Sequence, residues 1–119
     1  MTTDTTHHNR LLLEISNCIR HLNRETIDPA IPELTLGDLK PVMKMVAHAR
    51  ANYLQQLFIA ADAAENGVPS LDHIERLKEM RLIYEELVTG AQALETAIER
   101  GYLSVSRKGE GATECGGEG

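Results

Sequence analysis

Cys18 and His21 stand three residues apart, which on a helix places a thiol and an imidazole one turn from each other on the same side. That is the spacing by which a helix offers two ligands to zinc. A closed site needs four ligands. The remaining donors are His7, His8, His48, His73 and Cys115, with no second tight pair among them. Cys18 also falls on an apolar stripe, where a thiol serves as a small hydrophobe, so the expectation is no metal. Carboxylates are plentiful between Glu75 and Glu99: Glu75, Glu79, Glu85, Glu86, Glu95 and Glu99. Di-iron bundles require Glu-x-x-His on facing helices, and that motif occurs nowhere in this chain. Arg76, Lys78, Arg81 and Arg100 are interspersed, so the run reads as a solvated face with pairs such as Arg81–Glu85. His73 continues an apolar line one heptad upstream, in step with Met80, Leu87 and Leu94, and reads as a structural histidine near solvent.

His48 lies on the polar side of a long helical stretch, among Ala47, Ala49 and Ala51 with Lys44 and Arg50 nearby. An exposed histidine on a long helix of a small acidic all-helical chain resembles the histidine phosphotransfer domains. Their His-x-x-Lys-Gly run reads here His48-Ala49-Arg50-Ala51-Asn52, without the lysine and without the glycine that admits a docking partner. The resemblance covers one residue and its helix. It implies, as an alternative function, signalling through His48. A small metal-binding helical protein using Cys18 and His21 is the other alternative. No glycine-rich phosphate loop follows a strand and no nucleophile–base set has a recognisable context, so the chain is expected not to be an enzyme and to need no cofactor.

The elements that would hold these residues are helical. Among 119 residues, 42% are apolar but only 3% aromatic, so Leu, Ile, Val, Met and Ala must make the core. Leu11, Leu12, Ile15, Cys18, Ile19 and Leu22 recur at spacings of three and four, which predicts a short first helix with Asn9 as N-cap. Residues 1–9 are expected to be disordered. Pro29 and Pro32 predict an extended or turned link over Glu25–Leu34. From Leu39 to Gly101 the pattern predicts two long helices joined by Gly67-Val68-Pro69-Ser70. Asp38 as N-cap would place Pro41 harmlessly in the first turn, and Gly67 would close the helix near Asn66. Ser70 caps the last helix, whose line Leu77, Met80, Tyr84, Leu87, Ala91, Leu94, Ile98 follows a coiled-coil spacing to Arg100. Tyr102–Val105 predicts a short extended segment. Residues 107–119 are rich in glycine and are expected to be disordered. The fold expected is all-α: a short N-terminal helix plus a long antiparallel hairpin over 10–106, forming a bundle.

Length and charge then suggest what such a chain does. A helix of ~30 residues is ~45 Å long, whereas a compact globule of this size is about 35 Å across. One short helix cannot cover both long ones, so two hairpins joining as a homodimer is the expected assembly. On the second long helix, Phe58 and Ile59 lie off the apolar arc, one on either side of the polar one. Either the first helix or the 25–34 link covers them, or a partner does. Phe58 and Ile59, flanked by Leu54 and Met45, are the expected contact cluster. Eighteen acidic and twelve basic residues give a net charge of −6, which disfavours nucleic acid and anionic membrane surfaces. No apolar run approaches a membrane span, and the polar start Met1–His8 lacks a secretory apolar region. The expectation is a cytoplasmic, non-enzymatic protein-interaction module: an adaptor, assembly chaperone or accessory subunit.

Overall fold

A computed structural model describes residues 2–106. Among them, the chain forms helices α1 (Thr2–Ala30), α2 (Leu36–Ala64) and α3 (Leu71–Glu99), with short strands β1 (Leu34–Thr35) and β2 (Val105–Ser106). The all-α class is thus what the structure shows. Residues 107–119, expected to be disordered, lie outside the described ones.

α1 corrects the sequence reading at both ends. It begins at Thr2, not near Asn9, and it runs through Pro29 to Ala30 instead of giving way to an extended link after Leu22. Pro29 withholds only the N–H that would reach the carbonyl of Glu25, an exposed residue whose carbonyl water can serve. Beyond it the ladder holds, the Ile31 N–H donating to the Ile27 carbonyl at 2.9 Å, and before it the Thr26 hydroxyl adds a side-chain bond to the Leu22 carbonyl at 2.8 Å.

α2 is capped three residues earlier than Pro41 suggested. Thr35 is the N-cap: its hydroxyl accepts from the Asp38 N–H at 3.2 Å, while the Asp38 carboxylate accepts from the Thr35 N–H at 2.8 Å. This reciprocal box satisfies two donors at once, and the bond forfeited at Pro41 leaves only the carbonyl of exposed Gly37 without its helical partner. At the other end α2 stops at Ala64. The residue with positive φ is Glu65 (58°), not Gly67, whose N–H closes the turn onto the Ala64 carbonyl.

α3 begins as the sequence predicts, with the Ser70 hydroxyl accepting from the His73 N–H. It ends in a Schellman motif, the Tyr102 N–H donating to Ala97 and the Gly101 N–H to Ile98. Gly101 sits at φ 76° as that motif requires. The half-buried line of α3 is His73, Leu77, Met80, Tyr84, Leu87, Ala91, Leu94 and Ile98. It faces the line Val42, Val46, Ala49, Tyr53, Gln56 and Ala60 of α2, the helix against which α3 chiefly packs. At the centre, the Tyr53 and Tyr84 rings lie 5.8 Å apart and the Arg50 guanidinium rests 5.4 Å from the Tyr84 ring centroid.

β1 pairs with β2 in parallel, Leu34 with Val105 and Thr35 with Ser106, as the extended segment predicted near Tyr102–Val105 allows. Leu103 is buried beside this junction. Gly101→Ala should cost about 1–2 kcal/mol, because a Cβ is strained at positive φ. Gly90→Ala should gain up to ~1 kcal/mol, since a Cβ there meets nothing within 4 Å. Denaturant midpoints at one fixed protein concentration check both.

Candidate interaction surface

Helices bury one stripe when they have one neighbour. These carry more apolar surface than their neighbours cover. Among the described residues only Ala49, Ala60 and Leu103 are buried, and α3 contributes none. The radius of gyration is 21.5 Å, against about 13–14 Å for a compact chain of this length.

α1 is the extreme case. Only Asn23, Ile27 and Asp28 are even half-buried among its described side chains. It is fixed to the rest by Arg24, whose guanidinium donates to the Gly101 carbonyl at 2.8 Å and to the Ser104 hydroxyl at 3.3 Å. A cation suits this place, because unsatisfied carbonyls make a helix C-terminus partly negative. At 100° per residue, the stripe Leu11, Leu12, Ile15, Cys18, Ile19 and Leu22 is centred about 180° around α1 from Arg24. All six are exposed. An open cleft separates Leu12, Ile15 and Ile19 from Arg100 and Tyr102. The chemistry of α1 does not favour a free helix: Thr2, Thr3, Thr5, Thr6, Asn9, Ser16, Asn17, Asn23 and Thr26 are weak helix formers.

α2 carries a second apolar line beside the one that faces α3. Leu36, Met43, Ala47, Leu54, Leu57 and Ala61 recur at heptad-like spacing and are all exposed. This line lies about 100° from the α3-facing one. It was missed in the sequence because both lines merge into one broad apolar arc. Their separate heptad registers are the signal that could have found it.

The four expected contact residues are all exposed, Phe58 most of all at 72%. Neither α1 nor residues 25–34 cover it. Leu54 and Phe58 lie one turn apart at the edge of the second line. Ile59 points about 100° away from Phe58, and Met45 lies about 21 Å along the axis from Ile59. The four residues therefore occupy two sides of α2 rather than one cluster.

The ligand-type residues stay dispersed. Cys18 is exposed, which corrects its placement as a buried small hydrophobe. His21 turns to Glu25, Nε2 to Oε2 3.0 Å, with both side chains mostly exposed. Among the described residues no group of three or more His, Cys, Asp or Glu side chains gathers as a metal site would require. His48 is exposed on the side of α2 away from α3. His73 is half-buried, its Nδ1 enclosed without a hydrogen-bond partner. Arg81 pairs with Glu85 at 3.3 Å as the spacing predicts. No helix among the described residues is long and apolar enough to cross a membrane. No protein-family model, curated protein or solved structure matches this chain.

Arg24→Ala should loosen the base of α1 while leaving α2 and α3 intact. Amide exchange over residues 20–30 is expected to quicken roughly fivefold, the equivalent of about 1 kcal/mol.

Proposed function

We propose that this chain is a non-enzymatic, cytoplasmic protein-interaction module, an adaptor, assembly chaperone or accessory subunit that works by laying apolar helix faces against a protein partner, and that it pairs with itself as a homodimer of helical bundles. The observation that carries this reading is the exposure of Phe58 together with the long apolar lines of α1 and α2. Contiguous exposed apolar surface on this scale marks an interaction site, and amphipathic helices laid into apolar grooves are a recurrent way of using one. The support is physical, and it comes from distribution as much as amount. The exposed side chains follow helical spacing, as contact surfaces do, instead of being scattered singly.

The reading is tested by native affinity capture of the tagged full chain from its own host, with mass spectrometry of what co-purifies, beside light scattering of the purified chain. A stoichiometric partner, or a mass above one chain, supports it. A single-chain mass with nothing captured overturns it. Phe58→Asp should weaken association while leaving the circular dichroism unchanged, because the exposed ring contributes little to the isolated fold. Association that survives this substitution would remove Phe58 from the contact.

A further inference from the structure

We infer that the partner of the α1 stripe is the α2 line of a second copy of this chain, so that two copies exchange their α1 arms reciprocally. This rests on the interaction-module reading and names the occupant and the contact.

Area supplies the first argument. The chain exposes 9208 Å², whereas a compact monomer of its mass exposes roughly 6,400 Å². The excess, on the order of 2,000–3,000 Å² per chain, is enough to supply the about 1,000–2,500 Å² that each member of an obligate dimer loses, half of what such interfaces bury in total. Contact between two α1 helices alone would leave Leu36, Met43, Leu54 and Leu57 exposed. Contact between two α2 helices alone would leave Leu12, Ile15, Ile19 and Leu22 exposed. Seating α1 on α2 covers both sets, and a two-fold axis does so twice.

The observed contacts oppose the simpler alternative, in which α1 folds back onto its own α2. Arg24 ties α1 to Gly101 and Ser104, and ten residues later β1 is held by β2 and by the Thr35–Asp38 box. Folding back would break the Arg24 bonds. Accepting a second chain breaks nothing. The edges are complementary in charge over part of their length: Glu14 and Glu25 border the α1 stripe, while Lys40 and Lys44 border the first half of the α2 line on the side away from α3, where Asp62 follows about five turns on.

The test uses two full-length variants, Ile19→Lys on α1 and Leu54→Asp on α2, each at an exposed position. Sedimentation equilibrium should give the wild type a two-chain mass and each variant alone a one-chain mass. Mixing the two variants should restore the two-chain mass. In the mixed pair one α1–α2 contact is wild type on both sides and the other joins lysine to aspartate. Because an unfolded variant could not be rescued in this way, the mixture also controls for folding. If Leu54→Asp alone remains two-chain, α1 pairs with α1 and the inference fails. It fails equally if Ile19→Lys alone remains two-chain, or if the mixture stays at one chain. A wild type that is single-chain yet captures a foreign protein overturns the exchange and leaves the interaction-module reading standing.

Discussion

Three helices meet at one small junction, and their directions follow from it. The parallel pairing of Leu34–Thr35 with Val105–Ser106 brings the start of α2 beside the chain that leaves α3. The Thr35–Asp38 box fixes where α2 begins, and Arg24 sets α1 against Gly101 and Ser104. Leu103 is the only large side chain buried there among the described residues. The tie is largely polar. It can aim α1, but it cannot supply the apolar burial that holds most protein helices together.

That limit decides what the remaining surface must do. Two helices side by side share one seam and cannot enclose a core, because stable domains need a further layer over each apolar face. The α2–α3 seam shows this directly: its leucines and Met80 are only half-buried although they line the contact. α1 has the apolar stripe to serve as the missing layer, yet it is held pointing elsewhere. Within this arrangement the apolar stripe of α1 and the second line of α2 stay uncovered.

Much of this was legible in the residues. Spacing marked the α3 seam, Ser70 marked its start, and the mismatch between helix length and globule size marked the shortage of cover. Proline misled twice. Pro29 and Pro41 each lie close to a helix end, where the single bond lost is to a carbonyl that water reaches, so neither stops its helix. Glu65 takes the positive φ that Gly67 seemed placed to take, because α2 ends at Ala64, two residues earlier than composition suggests. The direction of α1 had no local signal at all. It depends on Arg24 meeting groups 77 and 80 residues away, a contact that helical periodicity cannot encode. The candidate cluster fared similarly: Phe58 is as exposed as its placement implied, but Met45 and Ile59 belong to another side of α2.

The separation in sequence between Arg24 and its acceptors also sets an order of events. During synthesis α2 and α3 can find each other through local contacts, since only a short turn divides them. Gly101, Ser104 and β2 follow α3, so chain growth at about 5–20 residues per second leaves α1 without its anchor until α2 and α3 have both been made. α1 therefore takes its direction only after the two helices of the α2–α3 seam are both in place, so the first helix made is the last to be aimed.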